Sequence, residues 1–190
     1  RRKGGEVRFN HCLSQFVSSV MMAAPLLEND TVIINTDPLE KPYLQMSIDW
    51  MKQYGVELKE NSGDYTRFVI PGGREYTATE SHISSDWSSV AFPLVAGIVT
   101  DSEITISGVN FEDSQGDKAV IVHLIMMGAD IVKDPANGRI IVKGGKALHS
   151  GMHIDLSDIP DSLPALSVAA AFAEGDTTFT GLGHVRMKET

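Results

Sequence analysis

The chain has 190 residues, enough to bury one large core or two small ones. A net charge of −9 argues against non-specific nucleic-acid binding, which needs a basic face to displace counterions, yet leaves room for a small anionic substrate held by a few local cations. The single cysteine, Cys12, excludes an intrachain disulfide and fits a reducing cytoplasm, and no apolar run approaches the roughly 20 residues of a membrane helix.

In chain order, the basic start Arg1-Arg2-Lys3-Gly4-Gly5 has no apolar core behind it and does not read as a secretory signal. The abrupt start and end read as those of a piece cut from a longer protein. Residues 14–27 predict an apolar, small-residue helix, followed by an acidic turn at 28–30 and a strand at 31–35. Residues 88–99 repeat this helix, with a turn at 100–103 and a strand at 104–107. Residues 163–173 repeat it again, with a turn at 174–176 and a strand at 177–180. The spacing is roughly 72–75 residues, and a fixed period of that kind means repeated structural units.

The remainder of each unit agrees. Residues 42–54 carry apolar side chains at helical spacing and close on Gly55; residues 118–127 close on Gly128 in the same way. Two strands follow each glycine, at 56–58 and 67–70 in one unit and at 130–132 and 139–142 in the next. Pro135-Ala136-Asn137-Gly138 is the hairpin turn of the second pair. The unit is therefore βαβαββ, and the chain holds about two and a third of them.

The helices at 16–27 and 90–99 carry little charge on any face, which predicts helices enclosed by sheets rather than laid over one open sheet. A boundary falls near 81–86, where residues 82–85 end a strand and Asp86 caps the next helix. Two domains are expected on this basis, 1–84 and 85–190.

Reactive groups gather at the end of the chain. Asp161 follows Pro160 where a helix begins, and Lys188 and Glu189 stand where another begins after the next strand, a spacing suited to general acid and base work. The plainer readings are a helix cap for Asp161 and an exposed first-turn charge pair for Lys188 and Glu189. His149 and His153 are four apart but lack a third ligand, so no metal is expected. Gly72-Gly73 and Gly144-Gly145 have no helix behind them and read as turns, not phosphate loops. Trp50, with Met46 and Met51, reads as core.

Seven short segments together carry a resemblance: Ser14-Gln15-Phe16, Met22-Ala23-Ala24-Pro25-Leu26, Lys41-Pro42-Tyr43, Gln115-Gly116-Asp117, Met127-Gly128-Ala129, Ile159-Pro160-Asp161 and Lys188-Glu189-Thr190. In order and spacing the chain resembles the enolpyruvyl transferase family, above all the members of the shikimate pathway of aromatic amino-acid biosynthesis. The resemblance implies an α/β (α+β) fold of repeated βαβαββ units around buried parallel helices, an inside-out α/β barrel-like arrangement of which this chain is an incomplete central part. It implies transfer of the enolpyruvyl group of phosphoenolpyruvate to the 5-hydroxyl of shikimate 3-phosphate, in the cytoplasm, by a full-length monomer, with no cofactor, nucleic acid or membrane involved. The piece alone is expected to be inactive.

By the same resemblance Asp161 accepts the proton of the attacking hydroxyl, Glu189 exchanges a proton with the methylene carbon, and Lys188 assists the charge changes. Ser14 holds the acceptor's phosphate, Gln15 reaches both ligands, Tyr43 lines the acceptor pocket, and His184 stands where the family usually has an asparagine. Plainer roles for these are helix N-terminal polarity for Ser14 and Gln15, and packing for Tyr43. Cys12 lies outside the loop in which some relatives carry a reactive cysteine. Two positions depart from the family: Leu13 and Glu40 replace serines that bind the acceptor's phosphate, so a donor is missing and a like charge is added. This leaves open an enolpyruvyl transferase acting on another hydroxyl acceptor, or a non-catalytic domain of the same fold.

Overall fold

The structure, a computed structural model, describes residues 2–187. Lys188 and Glu189, two of the three expected catalytic residues, lie outside the described residues. The chain divides into two compact units, Arg1–His82 and Ile83–Thr190, each with its own apolar core.

The first unit runs β1 (Glu6–Asn10), α1 (Ser14–Ala23), β2 (Thr31–Thr36), α2 (Lys41–Gln53), β3 (Glu60–Asn61) and β4 (Arg67–Ile70). Its sheet has the order β1-β2-β4-β3. β1 is parallel to β2, with Glu6 opposite Val32; β2 and β3 are antiparallel to β4, with Thr31 opposite Ile70 and Glu60 opposite Val69. α1 buries Ser14, Val17, Ser18 and Met21, the i, i+3, i+4, i+7 stripe of an amphipathic helix. Val17 and Met21 meet Ile33, Leu44, Met51, Phe68 and Ile70 in the core. Pro25 lacks the N–H a longer helix needs, and α1 tightens into a 3-10 turn at Ala24–Leu26.

In the second unit α3 (Trp87–Val99), β5 (Glu103–Ser107), α4 (Val120–Met126), β6 (Asp130–Asp134) and β7 (Arg139–Lys143) come first. β7 lies between β5 and β6, antiparallel to both. Next come β8 (Leu148–His149), β9 (His153–Asp155), α5 (Leu163–Ala171), β10 (Ala173–Glu174) and β11 (Thr178–Thr180). β8 is parallel to β10 and β9 to β11, a strand–helix–strand repeat of β1, α1 and β2.

The repeat expected from the sequence recurs down to single hydrogen bonds. α2 and α4 end on the same cap: Gly55 (φ 85°) and Gly128 (φ 99°) take the left-handed conformation. In the first, the N–H groups of Gly55 and Val56 donate to the carbonyls of Lys52 and Met51; in the second, those of Gly128 and Ala129 donate to Ile125 and Leu124. Gly72 and Gly144 also correspond. A Cβ on Gly72 would lie 2.2 Å from the Asn29 carbonyl oxygen, and one on Gly144 would lie 2.5 Å from that of Gly97.

Several expectations need correction. Residues 56–58 form no strand, because the Val56 N–H closes the cap of α2 and its side chain is buried with that helix; pairing with β4 starts only at Lys59, whose N–H donates to Val69. No strand ends at 82–85 either: of the ladder expected there, one bond remains, from the Ser85 N–H to the Gly108 carbonyl. The helix expected at 118–127 begins as a 3-10 turn, Gly116–Ala119, whose Lys118 ammonium is held by the carbonyls of Phe111 and Asp113. Trp50 is only half-buried, its ring 5.9 Å from that of Tyr54, whereas Met51 is core. The expected enclosure of the apolar helices holds in part: α3 buries seven of its 13 residues, but Phe92 stays exposed, as do Phe16 and Met22 on α1, although α1 packs against α2 and α3 against α5 as well as against strands. Among the described residues no helix is long and apolar enough to cross a membrane.

Candidate functional site

Asp161 sits in a 3-10 turn, Pro160–Ser162, that leads into α5. Proline suits this position because the first turn of a helix leaves its N–H groups unpaired anyway. Ser162, fully buried, donates its hydroxyl to Oδ1 of Asp117 at 2.7 Å, and Asp117 is itself 2% exposed. A buried carboxylate thus anchors the residue next to Asp161, while Asp161 is half-buried. Gln115, two residues before Asp117, accepts from the Trp87 N–H at 2.8 Å and donates to the Ser85 carbonyl and to Asp113 Oδ2. The starts of α3, α4 and α5 are therefore joined by polar side chains. His184 is 3% exposed, and its Nε2 has no hydrogen-bond partner among the described residues.

The second group forms where α1 and α2 begin. Leu13 occupies the N-cap of α1 and has no side-chain acceptor for the first amides. That acceptor comes from Glu40, the N-cap residue of α2. Its Oε2 accepts from the Ser14 amide at 3.1 Å and the Ser14 hydroxyl at 2.7 Å. Glu40 is 3% exposed and holds a left-handed backbone at φ 51°. A turn further on, the Ser47 hydroxyl donates to Ser18 Oγ at 2.7 Å, a second polar link between the helices. The structure brings Ser14 and Tyr43, on the first turns of α1 and α2, to one place; Tyr43 is half-buried and its N–H donates to the Glu40 carbonyl. Gln15 is exposed beside Ser14.

Two contacts between polar side chains at the candidate site are not legible in the sequence. The Asp117–Ser162 bond was not foreseen, and Glu40 was read as an obstacle to phosphate without its bracket to Ser14 being seen. The repeat carried the second signal. Glu40 and Gln115 stand at the same position of their units, each before the second helix and each accepting from the first amide of the preceding one. The plainer readings of other residues fit the structure. Burial pushes the Cys12 thiol above its ordinary pKa, which disfavours a nucleophilic thiolate. Gly73 and Gly145 are turn glycines at φ 63° and 84°.

The family model for EPSP synthase (3-phosphoshikimate 1-carboxyvinyltransferase) matches residues 2–190. The chain belongs to the EPSP synthase family. It is 38% identical over its whole length to the 3-phosphoshikimate 1-carboxyvinyltransferase of Ruminiclostridium cellulolyticum and 37% identical over 99% of its length to that of Methanocella arvoryzae. It spans 44% of the length of each of these curated relatives. Among solved structures, EPSP synthase from Acinetobacter baumannii superposes with a TM-score of 0.74 at 26% identity, covering 99% of this chain and 42% of that one. The enolpyruvyl transferase NikO from Streptomyces tendae, at 15% identity, shares the fold with a TM-score of 0.69 over 93% of this chain and 44% of its own. The sheets formed by the described residues are open, as suits a chain covering part of this family's fold.

Proposed function

We propose that this chain is part of an enzyme that transfers the enolpyruvyl group of phosphoenolpyruvate to the 5-hydroxyl of shikimate 3-phosphate. Membership of the EPSP synthase family along residues 2–190 carries this reading. In the reaction the acceptor oxygen bonds to C2 of phosphoenolpyruvate while C3 gains a proton. The tetrahedral adduct then loses that proton and its C2–O–phosphate bond breaks. The products are an enolpyruvyl ether and phosphate, and in net terms the hydroxyl proton leaves with the phosphate.

Asp161 takes the hydroxyl proton, a role that requires a carboxylate within hydrogen-bond reach of the oxygen. The buried Asp117–Ser162 pair supports that role by fixing the turn that presents Asp161. Glu189 gives and retakes the proton at C3, and Lys188 steadies the charge as it shifts. Ser14 receives the acceptor's phosphate at the positive end of α1, Gln15 reaches both ligands, Tyr43 lines the acceptor pocket, and His184 takes the place of an asparagine that hydrogen-bonds the acceptor. No cofactor is needed for these steps, the protein acts as a monomer in the cytoplasm, and the two units correspond to domains at 1–84 and 85–190.

The test is phosphate release and enolpyruvyl ether formation by the protein together with the rest of its chain, given phosphoenolpyruvate and shikimate 3-phosphate. Asp161→Asn is expected to lower kcat by about two to four orders of magnitude, the range of general-base contributions. Product from the wild type but an unchanged rate in Asp161→Asn would remove Asp161 from the mechanism; no product at all would remove the reaction. The 190-residue chain alone is expected to give no turnover. A second reading, the same chemistry on a different hydroxyl acceptor, is favoured by Leu13 and Glu40 at the phosphate end of the site.

A further inference from the structure

We infer that Glu40 is an internal competitor for anions at the start of α1 and thereby sets how tightly a phosphorylated acceptor is held; the acceptor part rests on the proposed placement of its phosphate at Ser14. Leu13 offers the helix end no acceptor, and the first donors of α1 are the amide and hydroxyl of Ser14. Both already donate to one oxygen of Glu40, at 3.1 and 2.7 Å. At 3% exposure this carboxylate is seated by the fold and is not a surface charge drifting past a helix end. A phosphate oxygen approaching Ser14 needs the same two donors and meets a negative charge resting on them.

The second unit separates the structural half of this contact from the charged half. Gln115, at the position of Glu40, accepts from the Trp87 N–H at 2.8 Å through a neutral amide oxygen. The bracket between first and second helix therefore needs an acceptor oxygen and is made there without a charge. The bracket to Ser14 can then be kept while the charge is removed, and the effect of the charge falls on a second anion.

The experiment titrates inorganic phosphate into the protein together with the rest of its chain, wild type, Glu40→Gln and Glu40→Ser, reading the Ser14 amide by NMR and the thermal midpoint without phosphate. Glu40→Gln is expected to keep the midpoint near that of the wild type. Both variants are expected to bind phosphate at Ser14 about tenfold more tightly, or better, as befits removal of one close like charge. A wild-type Ser14 amide that responds to phosphate as strongly as the variants' would overturn the inference, and so would a Glu40→Gln chain that loses its folded spectrum. The same titration with shikimate 3-phosphate and with shikimate, on the protein with the rest of its chain, tests the acceptor part. The phosphorylated ligand should gain by a similar factor and shikimate should not. If inorganic phosphate gains and shikimate 3-phosphate does not, Glu40 remains the competitor and the placement of the acceptor at Ser14 falls.

Discussion

The two units solve one problem differently. α1 and α3 both begin with an amide held by a side chain from the next helix start, Glu40 in the first unit and Gln115 in the second. α3 has a local cap as well: Asp86 accepts from the Ser88 N–H at 3.1 Å and from the hydroxyls of Ser88 and Ser89. α1 has Leu13 at that point and depends on Glu40 alone. Where a cap is supplied locally the distant side chain is a neutral amide; where it is not, the distant side chain is a buried carboxyl group that takes both donors of the first residue.

The comparison is easiest to break at the first residue of each helix. Trp87 is fully buried, with its indole N–H donating to the Asn110 carbonyl at 3.0 Å and its ring against Phe111. Trp87→Ala is expected to cost about 3–5 kcal/mol, whereas Ser14→Ala removes one hydroxyl contact and should cost about 1 kcal/mol. Urea denaturation of both variants checks this, and equal losses would mean that the two helix starts are not differentiated as described.

Gly72→Ala and Gly144→Ala should instead behave alike. Each new Cβ would press on backbone, Asn29 in one unit and Gly97 and Asp101 in the other. A cost of about 1–3 kcal/mol is expected for both, and a marked difference in their midpoints would show that the turns are not equivalent.

Exchanging the two brackets sharpens the contrast. Gln115→Glu loses the donor to the Ser85 carbonyl and puts a carboxylate where the amide now lies 2.9 Å from Asp113 Oδ2. It should cost about 1–3 kcal/mol, and the reciprocal Glu40→Gln should cost less than about 1 kcal/mol. The reverse order in thermal melts would show that the charge of Glu40 is structural.

The smallest effect concerns the local cap. Burial acts to raise the Asp86 pKa, but hydrogen bonds from Ser89 and Ser88 outweigh it and hold the carboxyl below its ordinary 3.8. A depressed carboxylate stabilises the fold fully above its unfolded value and loses that contribution as pH falls through the lower folded value. Asp86→Ala should therefore cost about 1 kcal/mol near neutrality and less in strong acid, where the protonated carboxyl is the weaker acceptor. An acid titration of amide protection in α3 reads this, and a difference between variant and wild type that is undiminished in strong acid would refute the cap's pH dependence.

Much of the architecture was legible because its signals are local. The capping glycines Gly55 and Gly128, the turn at Gly138 and the start at Pro160 act through the φ and N–H chemistry of the residue itself, and each is found where the sequence places it, whereas the helix expected over 14–27 ends at Ala23, before Pro25. The failures share one cause. Residues 56–58 have strand-like composition, but Val56 is claimed by the cap of α2, and a claim by a neighbouring element is invisible to propensity. Of the candidate site, Ser14, Tyr43 and Asp161 were picked out by motif, and Asp117 was quoted without a role, because its partner Ser162 lies 45 residues away.

By itself the sequence determined the period of the units, the helix and turn punctuation, the family and the residue types available for acid, base and phosphate chemistry. These depend on neighbours a few positions apart, where chain connectivity guarantees the contact. The tertiary structure alone decided which polar groups meet: Glu40 with Ser14 across 26 residues, Asp117 with Ser162 across 45. Buried polar groups must find partners, and only the packing of whole helices determines which ones are within reach.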